Sequence, residues 1–190
     1  MFKNLFALIG LITVIASGVL YVGAKDALSE FDPGAAKTYM ELVTKILETK
    51  DAASATVWRF PVEEGLTTDD VEKSLKMIAN ELNIANVGEL PLSKDISARS
   101  GKEYRFVKIY LFCNSLTAAQ MLDYNDAFSA YLPCRISLVE DKAGKLWLYS
   151  LNMDLMIHGG KTLPPALKEE AEKVKNIILE VMERAAEGDF

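Results

Sequence analysis

The sequence predicts an α+β fold with an antiparallel sheet, preceded by one N-terminal transmembrane helix. Three observations support this prediction. An uncharged apolar run occupies residues 5–24, the segments that follow read as strand, helix, several strands and helix, and two of those strands are separated by a short turn typical of a hairpin. A hairpin joins antiparallel neighbours, so the predicted sheet is antiparallel.

The first segment reads LFALIGLITVIASGVLYVGA over residues 5–24 and is flanked by Lys3 and Lys25. At about 1.5 Å per residue, such a helix covers roughly the 30 Å hydrocarbon core of a bilayer. We therefore expect residues 1–26 to be an uncleaved, single-pass membrane anchor. A cleaved signal peptide is the alternative, because residues 22–24 are small enough for a cleavage site. Either interpretation directs the chain to the export machinery. Because an anchor with a short N-terminal head usually translocates the residues that follow it, we expect the rest of the chain to lie in the periplasm or elsewhere outside the cytoplasm.

Residues 27–54 are predicted to form a juxtamembrane helix and a linker. Apolar residues recur at helical spacing at Met40, Val43, Ile46 and Leu47, and DAASA at 51–55 is typical of a joint. Residues 55–190 then form one soluble domain, since a chain of this length supports a single core.

Within that domain the predicted elements follow in a simple order. A short strand at 56–62 precedes a helix that Thr67 or Thr68 caps, and YRFVKIYLF at 104–112 has the strongest strand signal. Strands at 134–139 and 146–151 form the hairpin around Gly144. The last helix begins at Pro164 and Pro165, and its apolar stripe consists of Leu167, Ala171, Val174, Ile178, Val181 and Ala185.

The overall charge excludes one class of partner. The chain has 21 Lys and Arg against 27 Asp and Glu, for a net charge of −6, and the basic residues do not cluster. Nucleic-acid contacts need clustered cations, so we expect no nucleic-acid partner.

Three motifs resemble one known family. FCN at 112–114, LPCRISLVEDKAGKLWL at 132–148 and Asn152 together resemble the domain of unknown function 302 family. The resemblance implies a β-α-β4-α fold with helices packed on one face of the sheet, often as a homodimer, and it implies no activity. The sequence departs from the family pattern at Cys113, Ser115 and Cys134, where the family has glycine, proline and leucine.

The two cysteines of the chain lie at the two ends of one connection. If the strand ending at Cys113 and the strand starting at Cys134 are antiparallel, the two thiols come together at one edge of the sheet. Alternation places both thiols toward apolar residues, which favours a structural disulfide in an exported domain. A redox-active or sulfur-handling pair and two inert, separated cysteines are the alternatives.

Candidate ligand-binding residues surround this edge. Asn114, Arg135 and Asn152 supply polar groups for a pocket, and Met153, Met156 and His158 are soft donors that suit copper or haem iron. His158 is the only histidine, so a site that needs two histidines from one chain is excluded. The pattern indicates no catalytic residue and leaves the cofactor unknown.

The function that these observations favour is a non-catalytic, membrane-anchored envelope domain that binds a small ligand or a partner protein. A thiol-based redox or sulfur-handling protein using Cys113 and Cys134 is the first alternative, and a haem or copper binder is the second. The partner is expected to be a second copy of the chain or another envelope protein. Whether the protein is an enzyme, what it binds and which pathway it serves are left open by the sequence.

Overall fold

A computed structural model describes the backbone of residues 2–189, with side-chain surroundings for residues 10–23, 25 and 28–189. Three helices come first: α1 (Phe2–Leu28), α2 (Ala35–Thr49) and α3 (Ala52–Ala55). The elements that follow are β1 (Val57–Pro61), α4 (Thr68–Glu81), β2 (Ala85–Leu90), α5 (Leu92–Ser100), β3 (Val107–Cys113), α6 (Ser115–Tyr124), a 3₁₀ helix (Asp126–Ala130), β4 (Cys134–Glu140), β5 (Leu146–Leu151), α7 (Asp154–His158) and α8 (Pro165–Ala186).

The predicted N-terminal transmembrane helix is wrong. Within the described part of the chain, no helix is long and apolar enough to cross a membrane. Residues 5–9 and 24 of the predicted span lie outside the described side chains.

The α+β fold with an antiparallel sheet is confirmed. Five strands pair in the order β1-β5-β4-β3-β2, and every pairing is antiparallel. β2 has no counterpart in the sequence prediction. Its side chains are almost all exposed, and a bulge between Asn86 and Gly88 interrupts the alternation that marks a strand.

The core lies between one face of the sheet and the helices α4 and α8. Alternate residues of the central strands point into it, as period-two geometry requires. The capping box at the start of α4, formed by Thr67 and Asp70, confirms the predicted helix start. The predicted stripe of α8 is buried along its whole length. The largest fully buried side chains are Tyr110, Phe112, Leu75, Ile78, Ile136, Leu138, Leu148, Ile157, Ile178 and Met182.

The chain doubles back between the two cysteines, as predicted. Helix α6 leaves the end of β3, and Asn125 ends it and accepts a hydrogen bond from the Ala127 amide at the start of the 3₁₀ helix. The chain then returns as β4, which pairs antiparallel with β3. This reversal brings the end of β3 and the start of β4 to the same edge of the sheet.

The segment before α2 is attached to the domain. Phe31 forms an antiparallel bridge with Lys161, and the Asp32 amide donates to the Gly160 carbonyl at 2.8 Å. Asp32 is buried, so this segment is part of the packed structure, whereas the sequence predicts a juxtamembrane helix and linker over residues 27–54. The predicted domain boundaries at residues 26 and 54 stay predictions.

Candidate functional site

A narrow apolar cleft of about 50 Å³ lies at the edge of the sheet where β3 ends and β4 begins. Helix α6 and the residues just after β5 form its walls, and Ala171 and Val174 of α8 close its far side. Both cysteines line it. The antiparallel reversal described above is what creates this cleft, since it brings the end of one strand, the start of the next and their connection together.

The two thiols do not form a disulfide, so the predicted bond is wrong. Both cysteines are free. The reason is the register: Cys134 lies opposite Phe112, and Cys113 is one residue further along its strand. The two cysteines are therefore not directly opposed across the two strands, which is the position in which cross-strand side chains approach most closely. The sequence correctly predicted that the two strands are antiparallel. It does not specify their pairing register, in which Cys113 and Cys134 are offset by one residue.

Burial makes both thiols weak acids. It raises the pKa of Cys113, and it raises the pKa of Cys134 to about 11, where the neighbouring Cys113 adds to the effect. Both groups are therefore protonated at neutral pH. A redox-active or nucleophilic cysteine needs the opposite shift, because the thiolate is the reactive form.

Sulfur atoms are concentrated in the cleft. Met121 of α6, Met153 and Met156 line it together with the two thiols. The chain has two cysteines and seven methionines, and five of these nine residues line this one cleft. Met153 and Met121 are almost fully buried, so their thioethers are held in place by packing.

The predicted polar residues separate into two groups. Asn114 and Arg135 line the cleft, whereas Asn152 is not among its lining residues. The Asn114 side chain accepts hydrogen bonds from the amides of Leu116 and Thr117 at 3.1 and 3.2 Å, which caps α6. The Asn152 side chain accepts from the Asp154 amide at 2.8 Å at the start of α7. Both asparagines thus organise backbone turns.

His158 is separated from the methionines with which it was grouped. Its Nδ1 lies 3.2 Å from Asp32 Oδ1, in a cluster that also includes Lys168, and it does not line the cleft. Burial alone would raise the pKa of Asp32, but hydrogen bonds from Lys168, the Gly34 amide and His158 lower it. No group of three or more His, Cys, Asp and Glu side chains in the described residues could hold a metal ion.

Met121 lines the cleft but was not predicted as a site residue from the sequence. It lies in α6, whose exposed face carries Leu116 and Leu122 and obscures any apolar stripe. The available signal was the four-residue spacing of Thr117 and Met121, which are both buried and therefore share one helix face. Only the return of the chain to β4 shows that this face closes the cleft.

Comparison with known proteins identifies the domain. Residues 58–185 match the family described as Domain of unknown function DUF302. The chain belongs to the DUF302 family. The resemblance noted at residues 112–114 and 132–148 is thereby confirmed. All the cleft residues named above lie inside the matched range, whereas Asp32 lies before it.

The DUF302 fold is also present in a solved structure. The chain is similar to the crystal structure of an uncharacterised conserved DUF302 protein from Bacillus stearothermophilus, with a TM-score of 0.58 and 15% sequence identity. The similarity covers 68% of this chain and 98% of that chain. At this level of identity the likeness shows the fold alone. No curated protein matches the chain.

Proposed function

We propose that this DUF302 domain is a non-catalytic binding domain, and that its ligand is a small molecule or ion held in the cleft between Cys113, Asn114 and Cys134. The observation that carries the proposal is the cleft itself, a concave apolar site with a few convergent polar groups. Its thioethers and thiols are positioned by the end of β3, the start of β4, helix α6, and α7 with the residue before it.

The lining of the cleft supports binding over catalysis. Among its described residues there is no carboxylate and no imidazole, which are the usual general acids and bases. Arg135 is the charged residue of the lining, and it is exposed. Burial holds both thiols in the protonated form, so the redox alternative has less support.

The size of the cleft limits the ligand. Its volume is about 50 Å³, and a water molecule needs roughly 10–15 Å³ by the same measure, so the cleft holds a ligand of about four non-hydrogen atoms. A drug-sized ligand or a haem needs several hundred Å³. The haem alternative is therefore not supported.

The proposal is tested with small probes and two matched alanine variants. Xenon and 2-propanol are titrated into reduced protein carrying ¹³C-methyl methionine, and methyl resonances are followed by NMR. We expect the signals of Met121, Met153 and Met156 to shift, while the exposed Met40 and Met77 stay unchanged. Ala118→Leu fills the cleft and should abolish the shifts, whereas Ala119→Leu, next to it on the exposed side of α6, should preserve them.

The proposal fails if neither probe moves the cleft methionines and the cleft takes up no metal ion, or if Ala118→Leu responds to the probes like the unmodified chain. The expected homodimer or envelope partner, and the location outside the cytoplasm, also remain predictions. Light scattering of the purified protein across a concentration series tests the dimer.

A further inference from the structure

We propose that the ligand of the cleft is a soft monovalent metal ion, Cu(I), held by sulfur atoms drawn from Cys113, Cys134, Met121, Met153 and Met156. The inference rests on the proposed function, because it names the ligand class of the same cleft. It goes beyond a general binding role, since it commits to one metal, one oxidation state and one set of donors.

The distribution of sulfur in the fold is the first argument. Five of the nine sulfur-containing side chains line one cleft of about 50 Å³. They come from separate places in the chain: the end of β3, helix α6, the start of β4, and the first turn of α7 with the residue before it. Local sequence composition does not explain why these five side chains line one cleft. They are spread over residues 113 to 156, and the antiparallel return of the chain brings them together.

The chemistry of the donors is the second argument. Thiolates and thioethers are soft ligands and select Cu(I) over hard cations such as Mg²⁺ and Ca²⁺, which require oxygen ligands. The described residues that line the cleft include no carboxylate. His158, the only histidine of the chain, lies against Asp32 and does not line the cleft. The cleft therefore lacks the carboxylate ligands that suit Ca²⁺ and Mg²⁺ and the imidazole ligand of a histidine-bound metal.

The charge balance also fits a monovalent ion. Cu(I) with one thiolate and neutral thioethers has no net charge, which is the least costly arrangement in an apolar site. If both thiols coordinate, the net charge is −1, and Arg135 at the cleft wall supplies a compensating cation. Glu170, which accepts a hydrogen bond from the Thr117 hydroxyl at 3.3 Å, is the nearby acidic group on α8. With one thiolate a divalent ion would leave a positive charge in the cleft, and it is neutral only when both thiols coordinate as thiolates.

Binding is a ligand exchange without a redox step. Each thiol that coordinates forms one Cu–S bond and releases one proton to solvent, and copper stays in the Cu(I) state throughout. The methionines donate lone pairs and release nothing. Since free thiols must lose their protons, binding is expected to weaken as the pH falls.

The test is a competition titration of the reduced, full-length chain. Cu(I) is supplied anaerobically as its bicinchoninate complex, and transfer is followed by loss of the chelator's visible absorbance. We expect one Cu(I) per chain, with sulfur as the only neighbouring element in X-ray absorption spectra at the copper edge. Cys113→Ser, Cys134→Ser and the double variant Met153→Leu/Met156→Leu should each weaken binding by at least about tenfold.

Matched controls are available in the same chain. Met40→Leu/Met77→Leu replaces two exposed thioethers outside the cleft and should leave Cu(I) affinity unchanged. Circular dichroism checks that each variant is folded, and the X-ray absorption spectrum of the unmodified chain needs no variant. Nitrogen or oxygen neighbours in that spectrum, or equal affinity in the cleft and control variants, would overturn the inference.

The two proposals fail in different ways. If xenon or 2-propanol shifts the cleft methionines but the chain takes no Cu(I) from bicinchoninate, the metal inference is wrong and the binding role stands. If neither the probes nor Cu(I) bind, both proposals are wrong.

Discussion

The Asp32 carboxylate accepts a hydrogen bond from Lys168 Nζ at 2.5 Å, and this contact joins the segment before α2 to the last helix of the domain. The carboxylate is buried and also accepts from the Gly34 amide at 2.8 Å. Asp32 lies outside the range that matches DUF302 and Lys168 lies inside it. The N-terminal segment is therefore held to the family domain by an ion pair between the buried Asp32 and the partly buried Lys168.

Replacing Asp32 by alanine should destabilise the protein by about 2–4 kcal/mol, because it leaves Lys168 without its charged partner in a partly buried site. Urea unfolding followed by circular dichroism measures the change in free energy of unfolding. Glu30→Ala is the matched control, since it removes the exposed Glu30 and Lys161 pair nearby and should cost less than about 1 kcal/mol. Equal losses in the two variants would contradict the structural role assigned to Asp32.

Stability should fall as the pH drops below about 4.5, with Glu72 as one identifiable cause. Burial alone would raise the pKa of Glu72, but hydrogen bonds from Lys108, Lys76 and Tyr110 lower it to about 2. A carboxylate with a depressed folded-state pKa stabilises the protein above its unfolded pKa, here near 4.5, and that stabilisation is lost as the pH falls toward 2.

The lowered pKa of Glu72 contributes at most about 3 kcal/mol to the free energy of unfolding at neutral pH. Urea unfolding measured from pH 7 to pH 2.5 should show a steeper loss for the unmodified chain than for Glu72→Gln. Glu64→Gln, at an exposed turn, is the control and should keep the original slope. An unchanged slope in Glu72→Gln would show that Lys108 and Tyr110 do not depress the pKa of this carboxylate.

The two thiols should react slowly with alkylating agents, and Cys113 should react before Cys134. Cys134 is the more deeply buried thiol, and burial raises its pKa to about 11, so little thiolate exists at neutral pH. Mass spectrometry after timed exposure to iodoacetamide gives both rates, and the Cys134 rate should increase between pH 8 and pH 10. Rapid conversion of the pair to a disulfide by mild oxidant would show that the two side chains approach each other in solution.

Replacing Asn114 by alanine should destabilise the protein by about 1 kcal/mol and weaken probe binding in the cleft. The side chain caps α6 by accepting from the amides of Leu116 and Thr117, and capping bonds have about this magnitude. Asn114→Asp keeps an acceptor at the same position and should retain stability. Thermal unfolding and the methionine NMR titration measure the two effects. If Asn114→Asp and Asn114→Ala lose equal stability, the capping function is wrong.

Much of the fold could be predicted from local pattern. Capping at Thr67, the apolar stripe of α8 and the alternation of β3 each depend on residues within one element, so their periodicity is visible in the sequence. The antiparallel return of the chain between Cys113 and Cys134 was also predictable, because the two short helical segments between them allow the chain to turn back. Strand β2 was missed, since an exposed edge strand with a bulge has no alternating pattern to recognise.

The candidate site shows where local pattern stops being informative. Cys113, Cys134, Asn114 and Arg135 were identified from the sequence, and all four line the cleft. Met121 was not identified from the sequence, and His158 lies against Asp32 rather than in the lining of the cleft. Both placements depend on contacts between distant elements. Asp32, more than one hundred residues before His158, decides where that imidazole lies.

The sequence by itself determined the fold class, the family and the presence of two thiols at the ends of one reversing connection, because each of these depends on composition, periodicity or a contiguous motif. The tertiary structure alone decided the pairing register, which places Cys134 opposite Phe112, and in this structure both thiols are free. A shift of one residue reverses the face of every side chain in a strand, and no local pattern specifies that offset.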